Sequence, residues 1–159
     1  MNSILKASIL AILLLTFEAQ GSAQTVSAPT LSDDDKAAII KNVIDLWFSR
    51  AEALPPAEGA DLLKHNTLST EDMSTTLVSK LSGIKLVLRK PKQIEKLKHR
   101  PTPIRFLRVN SISRVGDKIG LTLGAISVVN DTPLGVHSYH YLFERIDGQW
   151  QGKLMYIIC

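Results

Sequence analysis

Cysteine is all but missing from this chain. The single copy, Cys159, is the final residue. A lone thiol makes no internal disulfide, and it excludes every metal site built on several cysteines. Two readings of Cys159 stay open. One is an apolar residue at a strand end; the other is a disulfide to a second chain in an oxidising compartment. Catalytic signatures are missing too. There is no G-x-S-x-G elbow for a serine nucleophile and no Walker, Rossmann or EF-hand pattern. Histidine is scarce, at four copies. His137 and His140 fall on opposite faces of a regular strand, and His65 and His99 lie in unrelated segments. No metal site and no cofactor are therefore expected. Asp33, Asp34 and Asp35 lack the glycine turn and spaced oxygen ligands of a calcium loop and read as a helix start instead.

Long apolar runs are confined to the beginning. Lys6 precedes Ala7 to Phe17, which is broken only by Ser8 and Thr16, and Gly21-Ser22-Ala23 follow. That layout is a secretory signal cleaved after Ala23. The run is about half the roughly 20 residues that a spanning helix needs. Nothing later is long and apolar enough to span. No cysteine follows the run, so lipid attachment is not expected there. The expected organisation is a signal peptide over 1–23, a flexible lead-in over 24–31 and a single domain over 32–159. The product is expected to be secreted or periplasmic, with no membrane span after signal removal. A chain of this size buries close to two-thirds of its unfolded surface, so it folds without staples.

The formal net charge of +4 conceals an uneven distribution. Residues 24–84 carry five Lys and Arg against nine Asp and Glu, whereas residues 85–108 carry nine against Glu95 alone. The basic block, with Arg89, Lys90, Lys92, Lys96, Lys98 and Arg100 at its centre, suits an anionic envelope component or an acidic protein partner. A single-strand nucleic-acid binder interleaves aromatics with its cations. Here Phe106 is the sole Phe, Trp or Tyr between Lys85 and Arg108, so no nucleic acid is expected. The bland alternative is a solvated edge whose cations discourage strand pairing.

Two periodicities divide the chain at Gly83. Ser32 can cap free backbone N–H groups, and Ile40, Ile44, Trp47, Ala51 and Leu54 follow at steps of three and four. Pro55-Pro56 ends that helix. A short helical turn is expected over Ala57–His65. Ser69 reads as the cap of a further helix carrying Met73, Leu77 and Leu81. After Gly83 the alternation has period two. Ile84, Leu86 and Leu88 predict a strand, and Lys92–Lys98 one helical turn. Strands are then expected over Ile104–Ser113, Lys118–Val129, Val136–Ile146 and Gln149–Ile158. Gly116-Asp117 and Asp147-Gly148 make tight turns, and a longer loop holds Asn130 to Gly135. The fold class is α+β, with N-terminal helices packed on a curved antiparallel sheet of four to five strands.

Helices first and an antiparallel meander afterwards, ending in the hairpin from Tyr141 through Asp147-Gly148 to Trp150, resembles the NTF2-like and cystatin-like α+β rolls. The resemblance covers about residues 32–158 and implies a curved sheet wrapped around an N-terminal helix. That class includes isomerases, dehydratases and non-catalytic binders, and a shared fold does not choose between them.

Alternation places His137, Tyr139, Tyr141, Phe143 and Arg145 on one strand face and Ser138, His140, Leu142 and Glu144 on the other. The aromatic face is the expected core face. A concave sheet that forms a pocket would line it with Trp47, Tyr139, Tyr141 and Trp150. Three functions follow. The first is a non-catalytic exported module that binds a partner or a small apolar or anionic ligand. The second is a lyase or isomerase in which His137 exchanges protons and Tyr139 or Tyr141 donates a hydroxyl. The third is a homodimer formed sheet to sheet.

Overall fold

The computed structural model describes residues 30–159; the expected signal peptide and most of the expected lead-in lie outside them. Helix α1 (Asp33–Ala53) starts where the sequence places it. The Ser32 hydroxyl accepts a hydrogen bond from the Asp35 backbone N–H at 3.1 Å, and three aspartates occupy the first turn. Its apolar stripe is buried as Ile39, Ile40, Val43, Ile44, Trp47 and Ala51. The helix stops at Leu54, whose backbone is extended, as the residue before a proline prefers. Helix α2 (Pro56–Leu63) begins on Pro56, where the missing N–H costs nothing.

Strand β1 (Thr67–Ser69), helix α3 (Thr75–Lys80), strand β2 (Val87–Arg89) and helix α4 (Pro91–Lys98) follow in short succession. Ser69 proves to be the buried end of β1 rather than a helix cap. Ser74 does that work, accepting from the Leu77 N–H at 3.0 Å. Strands β3 (Ile104–Val115), β4 (Lys118–Val129), β5 (Thr132–Ile146) and β6 (Gln149–Ile158) then form the antiparallel meander.

The sheet has six strands in the order β2-β1-β3-β4-β5-β6. It is mixed, because β1 runs parallel to both β2 and β3. The two parallel links pass through α3 and α4, which supply the crossovers that parallel neighbours require. Strand β2 falls in the stretch where the alternation of Leu86 and Leu88 predicts a strand, whereas β1, with three residues, is too short for alternation to reveal. All three meander turns are tight. Asp147-Gly148 and Asn130-Asp131 hold both central residues at positive φ, as a type I′ turn requires. The longer loop expected after Asn130 is therefore a two-residue turn. Pro133 enters β5 opposite Val128, where the register shifts between Ser127 and Val128. A bulge is one of the places where a sheet tolerates proline.

One sheet face carries the core. Leu68, Leu107, Ile119, Leu121, Leu123, Tyr139, Tyr141 and Phe143 pack with the buried stripe of α1. Among the described residues the opposite face is covered at one end, where Ile94 of α4 meets Phe106 and Val128. Elsewhere it is open, and Val136, Tyr156 and Ile158 are each more than half exposed. Leu31–Cys159 form one compact unit. Among the described residues no helix is long and apolar enough to cross a membrane.

Candidate functional site

The aromatic residues singled out in the sequence gather in the core. Trp47 is fully buried, with its ring edge-on to Tyr139 at 4.9 Å and to His65 at 5.8 Å. Tyr141 is buried beside them on the same strand face, next to Phe143 at 6.5 Å. Burial raises the Tyr139 hydroxyl and pushes Tyr141 up to about 12. Burial also lowers the His65 imidazole, so this ring stays neutral. Trp47 Nε1 and the Tyr141 hydroxyl have no hydrogen-bond partner among the described residues. Buried polar atoms of that kind are uncommon, and they mark this spot as the polar flaw in the core. His137 stands apart, exposed on β5 and paired across the sheet with Ala125. Trp150 is at the far end of the hairpin. Its indole N–H donates to Asp35 at 3.0 Å and its ring lies under the Arg145 guanidinium at 5.7 Å. The four aromatic residues thus do not converge on one cavity wall.

The basic block gathers differently. Three of its nine cations are ion-paired: Lys98 with Glu95 at 2.9 Å, Arg105 with Asp61 at 3.4 Å and Arg108 with Glu71 at 3.2 Å. Lys85 sits over the Phe48 ring at 5.4 Å. Arg89, Lys90, Lys92, Lys96 and Arg100 have no ion-pair partner among the described residues. They lie on β2, on α4 and in the turn after it. Lys90 opens α4, and its backbone N–H donates to the Gln93 side chain at 2.9 Å. Pro91 fixes the first helical residue. Local chain stiffness therefore sets where Lys90 and Lys92 stand.

Beside these cations runs an open groove of about 590 Å³. Met73, Val78 and Leu88 give it an apolar lining, Pro91 adds to it, and Lys90 and Lys92 line it as cations. The volume falls in the range of small-molecule sites. An apolar floor next to unneutralised ammonium groups suits a ligand with an apolar body and an acidic end. Sequence reasoning found the cations but not the floor. Met73 and Val78 belong to the segment before Gly83, Leu88 to the strand after it, and no spacing rule links them.

A second constellation was also missed. Glu95, His99 and Asp131 each offer a ligating atom, and these atoms lie within 4.8 Å of one another. His99 Nδ1 is 2.6 Å from Asp131 Oδ2. The only linear signal is that Glu95 and His99 are four residues apart, one helical turn.

Comparison of the chain with protein-family models, with curated proteins and with solved structures finds no match. The fold stands as an α+β arrangement of helices followed by a six-stranded mixed sheet.

Proposed function

We propose that this chain is an exported, non-catalytic binding module of the NTF2-like roll kind, which holds an anionic amphiphile on its β2–α4 face. The observation that carries the reading is the coincidence of two features. Lys90 and Lys92, two of the five cations without ion-pair partners among the described residues, line an open groove floored by Met73, Val78 and Leu88. An acyl chain would lie against Met73, Val78 and Leu88, and its acidic head would face Lys90 and Lys92. Attraction to the head is salt-sensitive because those ammonium groups are exposed. Dodecanoate and vesicles containing phosphatidylglycerol are suitable probes. A dodecanoate-induced rise in melting temperature, weakened by high salt and lost in Lys90→Glu/Lys92→Glu, is the expected result. No rise with either probe, or the same rise in the charge-reversed protein, refutes the assignment.

Export rests on the Met1–Ala23 pattern. The mature protein is expected to begin at Gln24, which intact-mass measurement of the exported product checks.

Two other readings have one observation each. The Tyr141 hydroxyl, without a partner among the described residues, favours a lyase or isomerase with an internal site. Packing of Tyr139 and Tyr141 against Trp47 and Phe143 weighs against it, as does the exposed position of His137. The open sheet face with Val136, Tyr156 and Ile158 favours a homodimer.

A further inference from the structure

Helix α4 ends at Lys98 with His99 as its C-cap, and the chain turns there towards the meander. Two backbone hydrogen bonds tie that end to the β4–β5 turn. The Asp131 N–H donates to the Lys98 carbonyl at 3.1 Å, and the Asn130 N–H donates to the Arg100 carbonyl at 3.3 Å. The turn itself is restricted, because Asn130 and Asp131 both adopt positive φ. Helix end and turn are thus held in register by main chain, independently of their side chains. The result brings a nitrogen ligand and two carboxylates together from positions 95, 99 and 131.

We propose that Glu95, His99 and Asp131 form a Zn²⁺ site. The donor set is one imidazole nitrogen and two carboxylate oxygens, which zinc accepts and which calcium and magnesium, preferring all-oxygen shells, do not. Ligands on a tetrahedral zinc at 2.0–2.1 Å stand roughly 3.3 Å apart. His99 Nδ1 and Asp131 Oδ2, now 2.6 Å apart, need only separate slightly to admit the ion. Glu95 must close in from within 4.8 Å, a change of side-chain torsion on an exposed helix face. The C-terminal end of α4 lies here, and that end of a helix favours a cation. Opposing it, the Lys98 ammonium sits 2.9 Å from Glu95 and competes for the same carboxylate. Three protein ligands leave one tetrahedral position open for water or an anion. Glu95 and Asp131 also line a cavity of about 290 Å³ between α4 and the outer sheet face, so that position has room beside it.

The test is calorimetric titration of ZnCl₂ into the full chain carrying Cys159→Ser, which removes the competing thiol. One zinc per chain is expected, with no heat from CaCl₂ under the same conditions. His99→Ala is expected to weaken zinc binding by at least about tenfold, and Glu95→Gln and Asp131→Asn to weaken it as well. Lys98→Gln is expected to tighten it, a change that no purely structural role of these residues produces. Glu95, His99 and Asp131 are each more than half exposed and Lys98 is partly exposed, so folding survives, and unchanged melting of the metal-free variants verifies this. Absence of zinc binding at millimolar concentration, or equal affinity in the protein with and without His99→Ala, overturns the proposal.

Discussion

Trp150 Nε1 donates a 3.0 Å hydrogen bond to Asp35 Oδ1, joining the first turn of α1 to the last strand across 115 residues. The same strand residue offers its carbonyl to Asn42 Nδ2 at 3.0 Å. Helix and sheet edge are therefore fastened at the end away from Trp47. The Trp150 bond and then the Ser32 hydroxyl hold the Asp35 carboxyl below its ordinary 3.8. Asp35→Ala removes the acceptor and is expected to cost about 1–2 kcal/mol. A carboxylate with a lowered folded pKa contributes fully above its unfolded value. That contribution fades as pH falls through the folded value. Urea melts between neutral pH and strong acid should show the Asp35→Asn protein losing less stability at the acid end than the parent.

His65 acts in a different pH window. Burial, the dominant effect, lowers it from 6.5. The folded protein keeps the ring neutral where the unfolded chain would protonate it. Stability is then complete above 6.5, declines as pH drops below that value, and levels off beneath the lowered folded pKa. Thermal melts between about pH 7 and pH 5 are expected to show a decline that His65→Gln flattens.

Gly152 faces Phe143 directly across β5 and β6. A Cβ there would meet the fully buried Phe143 ring, with Cζ at 2.6 Å and Cδ1 at 2.7 Å. The ring belongs to the buried core cluster. Gly152→Ala is expected to destabilise the fold by about 1–3 kcal/mol through overpacking. Gly135→Ala is the comparison, since a Cβ there meets nothing closer than His137 Nε2 at 3.7 Å. Its cost should stay within about 0.5 kcal/mol. Denaturation midpoints at constant slope separate the two.

The open sheet face makes a prediction about assembly. Val136, Tyr156 and Ile158 are exposed on one side of β5 and β6, and β6 is an edge strand. If this face pairs with a second copy, light scattering gives a dimer mass that Val136→Glu/Ile158→Glu reduces to a monomer, with or without reductant. A dimer that reductant alone dissolves would instead assign the link to exposed Cys159. A monomer mass for the parent protein under both conditions removes the pairing altogether.

Much of the architecture could be read in advance because it depends on neighbours in the chain. Ser32 and the stripe from Ile40 to Ala51 announced α1, and the alternation about Tyr139, Tyr141 and Phe143 identified the core face of β5. Residues at fixed short separations meet whatever the rest of the chain does. Errors arose where local signals were ambiguous. Ser69 and Ser74 are both plausible caps, and only the pairing of Ser69 with Arg89 and Arg108 across the sheet decides between them. Asn130-Asp131 looked like the start of a loop because Pro133 and Gly135 follow. The bulge that accommodates Pro133 is created by pairing with β4, which is not a local event.

The linear order alone determined the α+β class, the core stripe of α1, the meander and the excess of positive charge over residues 85–108. It did so because periodicity, turn chemistry and charge act over a few residues. Only the tertiary structure decided that β1 and β2 join the sheet in parallel, that Met73, Val78 and Leu88 floor a groove beside Lys90, and that His99 meets Asp131. Each of those contacts joins segments brought together by the packing of residues 31–159, and no short-range rule carries that information.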